Sequence, residues 1–403
     1  MKITKVETLR LGEFPNLLHV RLHTDEGLIG LGETSFGPRA AEAYIHESAA
    51  PYLLGKDPCT VEAHAEALAA GYVGFAGTGA EMRGRSAVDI ALWDLWGQAT
   101  GQSIHQLLGG ACRDSIRAYN TCAGYRYVRA TSEGGGLTTD AWGLTQDAEG
   151  PYEDLDAFLT RPVELAKSLL DMGIDGMKIW PFDPFAEKTR GHGISNADLA
   201  RGLEPFQAIR DALGDRMDLM VEMHSLWDVP TAIRIARALE DIAPAWIEDP
   251  IRMDAPDMLA RVSDATTIPI TASEMVATRW GHRDLIARGK PSIVMFEPVW
   301  VGGITESRQI IGMAQASHLP VAVHDCLGPV EYAVALHLSM FAPNAIIQES
   351  VRAFWSGWYR ELATVVPPVV DGLVTAPTGP GLGTELRPEV FERPDLMRQT
   401  TAS

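Results

Sequence analysis

Glutamates end successive apolar segments at an even spacing through the middle of the chain. Glu222, Glu248 and Glu274 follow the segments MDLMV, PAWI and IPITAS, and the two intervals between them are both 26 residues. One strand–loop–helix–loop unit of a (β/α) barrel takes roughly 30 residues, and the chemistry of that fold gathers at the carboxyl ends of its strands. The spacing therefore predicts a (β/α) TIM-type barrel that carries three carboxylates on one rim.

The same pattern continues beyond the third glutamate. Glu297 ends SIVMFE, His324 ends LPVAVH and Glu349 ends NAIIQE, at intervals of 23, 27 and 25 residues. A single glutamate after a strand is usually a solvated loop residue, but six ionisable groups in phase are hard to explain that way. Convergent carboxylates repel one another unless a cation joins them, and all-oxygen ligands favour Mg²⁺ or Mn²⁺ over zinc. The predicted metal ligands are Glu222, Glu248 and Glu274.

Composition excludes several classes of partner. The net charge of −19 argues against nucleic acid and anionic membrane surfaces. No apolar run approaches the 18 residues of a membrane span, and the N-terminal MKITKVETLRL lacks the apolar region of a signal peptide. The cysteines have no CxxC spacing, so a disulfide framework or zinc site is not expected. We expect a soluble, cytoplasmic protein that acts on a small molecule.

The pattern of apolar residues changes near residue 116. Three predicted strands and several helices precede that point, whereas short apolar segments alternate with amphipathic helices after it, as in βα units with a parallel sheet. Eight such segments are found. The expected parts are an α+β capping domain, a (β/α) barrel and a C-terminal segment that returns to the cap, at residues 1–115, 116–362 and 363–403.

Several motifs together resemble one family. The segments TDEGLIGLGE and AVDIALWDLWGQATGQSIHQLLGG, the acidic ends of strands three to five, and IEDP, GGITES and VAVHDCLGP resemble the enolase superfamily in its mandelate racemase-type branch. The resemblance covers nearly the whole chain. It implies a Lys or His base and Mg²⁺ that stabilises an enediolate, with a homo-oligomer (octamer or dimer) as the assembly. It also implies that Lys178 adds positive charge beside a substrate carboxylate, which Glu349 binds from the other side.

The second strand distinguishes this chain from the racemases of the branch. Those enzymes carry a Lys-x-Lys pair there, whereas this sequence reads KIW, so Trp180 replaces the second lysine. An indole is not a general base, so a two-base racemisation lacks one base. The base candidate is His324, with Glu297 orienting its far nitrogen. Trp180 and Trp300 are expected to contact the substrate.

A second histidine suggests elimination. His224 lies two residues past Glu222 in VEMHS, and this pattern resembles the galactonate dehydratase-like acid-sugar dehydratases. There the histidine protonates the departing 3-hydroxyl group. The expected reaction converts a 2,3-dihydroxy carboxylate into a 2-keto-3-deoxy acid. Two alternatives stay open: a single-base epimerase or cycloisomerase on a related acid sugar, and a catalytically silent barrel that only binds a metal and an acid.

One residue departs from the family pattern, and substrate specificity is a property that varies within the family. The partner of the base is usually Asp, but here it is Glu297, one methylene longer. Substrate specificity is expected in loops that fold over the barrel mouth, at Phe14–His19, Gly74–Met82 and residues 128–154.

Overall fold

The computed structural model describes residues 1–70, 77–129 and 152–402. Its N-terminal part is an antiparallel sheet covered by helices. The strands are β1 (Ile3–Leu11), β2 (Phe14–Thr24) and β3 (Ile29–Ser35), and the helices are α1 (Pro38–Tyr44), α2 (Ala50–Leu53), α3 (Val61–Ala70), α4 (Ala80–Thr100) and α5 (Ile104–Leu108).

Helix α4 packs closely on strand β3. A Cβ atom at Gly32 would lie 1.9 Å from the Ala87 carbonyl oxygen, so only glycine permits this approach. From the other side, Asp89 of α4 accepts hydrogen bonds from the backbone N–H and the hydroxyl of Thr305, which belongs to the barrel. The cap is thereby held on the barrel by its longest helix.

The barrel follows with the predicted alternation. Its strands are β4 (Ile116–Thr121), β5 (Gly176–Ile179), β6 (Asp218–Glu222), β7 (Trp246–Glu248), β8 (Ile270–Ala272), β9 (Ile293–Phe296), β10 (Val321–Val323) and β11 (Ala345–Ser350). They pair in parallel and in chain order, and β11 pairs with β4 to close the barrel. The predicted fold class is confirmed: among the described residues, eight parallel strands form a closed barrel beneath an α+β cap.

Helices surround this barrel, as its parallel strands require. They are α6 (Asp154–Thr160), α7 (Pro162–Leu170), α8 (Asp183–Thr189), α9 (Asn196–Leu213), α10 (Val229–Ala238), α11 (Pro256–Ser263), α12 (Thr278–Asp284), α13 (Pro298–Val301), α14 (Gly303–Ala316), α15 (Pro329–Phe341) and α16 (Tyr359–Leu362). Large side chains from different strands, including Tyr119, Met220, Trp246 and Met295, fill the barrel interior. The interior is therefore a packed core, and chemistry is confined to its ends.

The C-terminal segment contacts both parts of the molecule. Strand β12 (Leu373–Val374) pairs antiparallel with β4 of the barrel, whereas β13 (Leu396–Ala402) pairs antiparallel with β1 of the cap. The order of the cap sheet is β13-β1-β2-β3. No helix in the described part of the chain is long and apolar enough to cross a membrane.

The three expected specificity loops have different outcomes. Phe14–His19 is not a loop, because the hairpin turn lies just before it and these residues belong to β2. For Gly74–Met82, residues 74–76 lie outside the described part, and helix α4 already begins at Ala80. Most of the expected loop at 128–154 also lies outside the described residues.

Candidate active site

A cavity of about 200 Å³ lies at the carboxyl ends of the barrel strands. Of the predicted site residues, those that line it are Lys178, Trp180, Glu222, His224, Glu274, Trp300 and His324. The other three, Glu248, Glu297 and Glu349, are fully buried and contact residues of the lining. The structure thus brings all ten predicted residues together at one end of the barrel.

Lys178 is surrounded by carboxylates. It lies on β5, and its Nζ is 2.5 Å from Glu248 Oε1, 3.0 Å from Glu349 Oε1 and 3.3 Å from Glu222 Oε2. Burial alone would lower the pKa of Lys178, but the charges of Glu248 and Glu349 raise it well above its usual range. The side chain is therefore a fixed positive charge beside the cavity.

Two of the predicted metal ligands, Glu222 and Glu248, contact Lys178, and the third, Glu274, lies near Glu248. Glu222 and Glu248 stand opposite each other in the register of β6 and β7, whereas Glu274 lies two residues beyond the end of β8. Single ligand atoms of Glu248, Glu274 and His324 lie within 4.8 Å of one another. Burial, followed by the charge of Glu222, raises the pKa of Glu248 well above its usual range.

The donor set fits a divalent cation. Glu222, Glu248 and Glu274 are buried oxygen donors, and when all three are ionised their negative charges exceed the positive charge that Lys178 supplies. A hard cation with oxygen ligands is the species that such a set accommodates. By donor type and charge, these three residues therefore fit a divalent cation.

His324 is held by a carboxylate at each ring nitrogen. Its Nδ1 is 2.6 Å from Glu297 Oε2, and its Nε2 is 2.6 Å from Glu274 Oε2. Glu297 is itself fixed, because its Oε1 accepts a hydrogen bond of 2.8 Å from Val299 N at the start of α13. The longer side chain at 297 therefore reaches the imidazole with good hydrogen-bond geometry.

The surroundings of His324 favour its charged form. Burial alone would lower the pKa of its imidazole. The charges of Glu274 and Glu349, with hydrogen bonds to Glu274 and Glu297, instead raise this pKa well above its usual range. In the charged ring Nε2 already donates a proton to Glu274, so Nε2 accepts another only after this contact is released and that proton is lost.

His224 has a carboxylate partner that the sequence reasoning missed. Its Nδ1 is 2.5 Å from Oδ2 of Asp183, a buried residue at the start of α8. Burial would lower the pKa of His224, but the charges of Asp183 and Glu222 raise it to about 9. The signal for Asp183 was an acid soon after strand two, in WPFDP, but it is out of phase with the other strand-end acids.

The backbone also turns sharply at His224. His224 and Ser225 adopt positive φ values of 46° and 58°, which cost roughly 1–2 kcal/mol per residue for side chains other than glycine. The His224 N–H donates a hydrogen bond of 2.7 Å to Glu222 Oε1, which fixes the turn to the strand end. With this turn, Glu222 and His224 both line the cavity although they are only two positions apart in the chain.

Aromatic groups hold the other face of His224. The indole of Trp180 packs edge-on against its ring at 5.5 Å, and Tyr127 OH lies 3.3 Å from its Nε2. Tyr127 and Phe158 pack in turn on Trp180. The tryptophan that replaces the second lysine of the racemases thus packs against the histidine.

Glu349 is fully buried and lies next to Lys178. Its Oε1 contacts Lys178 and accepts a hydrogen bond from the Thr121 hydroxyl, and its Oε2 accepts one of 3.1 Å from Asp325 N. Burial alone would raise the pKa of Glu349, but Lys178 and His324 lower it. Thr121 also lines the cavity and was not predicted from the sequence.

The cap contributes to the cavity through residues next to β3. Phe36 lines it and packs 5.9 Å from Trp300, whose Nε1 donates a hydrogen bond to Ser35 Oγ. Trp300 also stacks on the imidazole of His324 with ring centroids 6.2 Å apart. Among the described cap residues, Phe36 therefore lines the cavity, whereas the prediction gave this role to Phe14–His19.

Comparisons with known proteins agree with this arrangement. Residues 161–390 match the family model described as enolase C-terminal domain-like, and residues 13–109 match the N-terminal domain of the mandelate racemase / muconate lactonizing enzyme family. D-galactonate dehydratase from Pectobacterium atrosepticum is 30% identical over 98% of this chain and 94% of its own.

Solved structures give the same result. An enolase of the mandelate racemase subgroup from Agrobacterium tumefaciens is 47% identical, with a TM-score of 0.88 over 100% of this chain and 99% of that chain. An enolase protein from the environmental genome sequencing of the Sargasso Sea is 38% identical, with a TM-score of 0.87 over the same shares. The chain therefore belongs to the enolase superfamily, in its mandelate racemase branch, among the hydro-lyases that are similar to D-galactonate dehydratase.

Proposed function

We propose that the chain is a Mg²⁺-dependent dehydratase of a sugar acid, which converts a 2,3-dihydroxy carboxylate into a 2-keto-3-deoxy acid. The observation that carries the proposal is the pair of histidines. His224 and His324 line one cavity, and each has a carboxylate on Nδ1. A β-elimination needs one base and one acid, and the similarity to D-galactonate dehydratase supports the same reaction class.

In the proposed complex, the substrate carboxylate binds at the end of the cavity that holds Lys178 and the three predicted metal ligands. Mg²⁺ held by Glu222, Glu248 and Glu274 supplies Lewis-acid stabilisation of negative charge on that carboxylate. Lys178 adds its own positive charge from β5, where the three surrounding carboxylates keep it ionised. Preorganised charge of this kind stabilises the charge that develops when the adjacent proton leaves.

Proton transfer then divides between the two histidines. Once the contact of His324 with Glu274 is released and the Nε2 proton is lost to solvent, Nε2 of the neutral ring accepts the C2 proton, while Glu297 holds Nδ1 and the ring orientation. The C3–O bond breaks as the oxygen takes a proton from His224, and water leaves. The resulting enol loses its hydroxyl proton at C2 and gains a proton at C3, and becomes the 2-keto acid. A pKa of about 9 keeps His224 protonated at neutral pH, as a general acid requires.

The test of the reaction is a screen of mono- and diacid sugars for products that react with semicarbazide. We expect at least one sugar acid to yield a keto acid, and its 2-proton to exchange in deuterated water. Exchange with an epimeric product and no keto acid would identify an epimerase. Binding of an acid without exchange would identify a silent barrel.

The test of the metal site is Glu248→Gln. Strand-end residues of a barrel contribute to function more than to the core, so the fold should persist while Mg²⁺ affinity and nearly all turnover are lost. Calorimetric titration with Mg²⁺ gives a readout that does not depend on activity. The matched control is Glu187→Gln, an exposed position on α8. Wild-type turnover by Glu248→Gln in EDTA-treated buffer would contradict the metal assignment.

A further inference from the structure

Behind the His324–Glu297 pair lies a third buried acid, Glu331, in the first turn of α15. Its side chain is completely buried, and single atoms of Glu297, His324 and Glu331 lie within 4.8 Å of one another. Glu331 Oε1 is 4.0 Å from His324 Nδ1. It does not line the cavity, so any effect on the reaction has to pass through its neighbours.

One carboxyl oxygen of Glu297 and one of Glu331 lie within 4.8 Å of each other, and both side chains are completely buried. Two ionised carboxylates repel each other, so this contact requires a proton on one of them. Glu297 already accepts hydrogen bonds at both oxygens, from Val299 N and from His324 Nδ1. Glu331 Oε1 is buried and has no hydrogen-bond partner among the described residues.

The position of Glu331 is fixed from the other side. Its Oε2 accepts a hydrogen bond of 3.1 Å from Gly328 N, and its own backbone N–H donates one of 3.0 Å to Glu33 of β3. A Cβ atom at Gly328 would lie 2.1 Å from Glu33 Oε1, so this approach of the cap requires glycine. The cap thus holds the helix turn that carries Glu331.

We propose that Glu331 is a positioning residue that carries a proton and donates a hydrogen bond through it to Glu297, so that Glu297 keeps the orientation required by His324. The inference rests on the proposed function for its catalytic meaning. Its structural content, a protonated glutamate behind the pair, does not depend on that function.

The surrounding charges agree with a protonated Glu331. Burial is the main cause that raises its pKa well above the usual range, and the charges of Glu297 and Asp325 raise it further. His324 acts in the opposite direction. Glu33 also faces this turn, where it accepts the Glu331 N–H.

Infrared spectroscopy tests the protonation state directly. In Mg²⁺-containing buffer at neutral pH, the difference between wild type and E331Q should contain the C=O stretch of a protonated carboxyl group. Buried acids that do not interact with Glu331 contribute equally to both proteins and cancel. The same difference with E392Q, at an exposed glutamate, should lack the band. Absence of the band from the E331Q difference would overturn the proposal, whatever the enzyme's substrate.

Kinetics tests the positioning role with a matched pair of variants. E331Q keeps a donor of similar size and should turn over at nearly the wild-type rate, whereas E331M lacks the donor and should lose about tenfold to a hundredfold in kcat, the usual effect of a hydrogen bond to a charged group. KM should change little, since Glu331 does not reach the cavity. Equal losses in both variants, or no loss in E331M, would overturn the role. If E331M does not fold, the infrared result for E331Q still decides.

Discussion

Two pairs of histidines lie in different regions of the molecule and have opposite surroundings. At the barrel mouth, His224 and His324 each direct Nδ1 at a carboxylate, 2.5 and 2.6 Å away. At the junction of α5, α15 and the C-terminal segment, His105 Nδ1 lies 2.8 Å from His337 Nδ1, and His337 Nε2 lies 3.0 Å from the Leu382 carbonyl oxygen. The residue type is the same, but the partners differ.

These different partners shift the imidazole pKa values of the two regions in opposite directions. Burial lowers the pKa of an imidazole in both regions. Carboxylates overcome this at the mouth, where the pKa of His224 is raised to about 9 and that of His324 well above its usual range. At the junction burial dominates, so the pKa of His105 is lowered and that of His337 falls to about 3. A buried histidine is therefore a candidate for proton transfer here only when a carboxylate accompanies it.

The junction also has a defined pattern of donors. His337 Nε2 can only donate to the Leu382 carbonyl oxygen, so its Nδ1 accepts, and the proton between the two rings belongs to His105. A second proton on this pair would break the contact. These rings join helix to helix, whereas the rings at the mouth face a cavity.

The largest effect is expected from His324→Asn, which should remove both 2-proton exchange and keto-acid formation. The loss should reach about 10⁴-fold, the upper end of general acid–base catalysis, because this chain has a tryptophan where racemases have a second base. Turnover and deuterium exchange are both measured. The control is His337→Asn, which should leave turnover per folded molecule unchanged. Equal losses in both variants would erase the distinction between the two regions.

A smaller loss, about 10³-fold in elimination, is expected from His224→Asn. Exchange of the 2-proton should stay detectable, because enolate formation does not need the acid of the leaving group. Asp183→Asn should act in the same direction by removing the charge that keeps His224 protonated. The ratio of exchange to keto-acid formation checks both variants. Parallel loss of exchange in either one would contradict the acid role.

Glu297→Gln is expected to lose about 10²-fold in kcat, with little change in KM or Mg²⁺ affinity. The amide keeps the hydrogen-bonding shape but not the charge beside His324 Nδ1. Glu297→Asp separates charge from length. It should be damaging, since Glu297 Oε1 and Oε2 are each fixed by a short contact that a shorter side chain does not reach together. Activity of Glu297→Ala above about a tenth of wild type would show that His324 works without this partner.

The smallest effect concerns stability at the junction. The folded pKa of His337 is about 3, below the ordinary value, so the neutral ring contributes stability that is present above about pH 6.5 and lost as the pH falls toward 3. Its contribution should decline by about 1.4 kcal/mol per pH unit in that window. Urea unfolding of wild type and His337→Gln at pH 7, 6 and 5 measures the slope. The same slope in both proteins would contradict this assignment.

The sequence by itself determined the barrel, the order of its strands and the end at which chemistry collects. Strand-end residues recur at the length of one βα unit, and parallel strands place their carboxyl ends on one rim. Glu222, Glu248, His324 and Glu349 were therefore found from spacing alone. The replacement of a lysine by Trp180 was equally visible along the chain.

Only the tertiary structure decided how these groups pair. Asp183 reaches His224 from a helix N-terminus, Glu274 turns to His324 from two residues beyond its strand, and Phe36 enters from the cap. Spacing along the chain predicts which strand a residue ends. It does not predict which side chain of a neighbouring loop, or of another domain, comes within hydrogen-bond distance. Those contacts depend on how loops and the cap pack over the rim, and they set which histidines are charged.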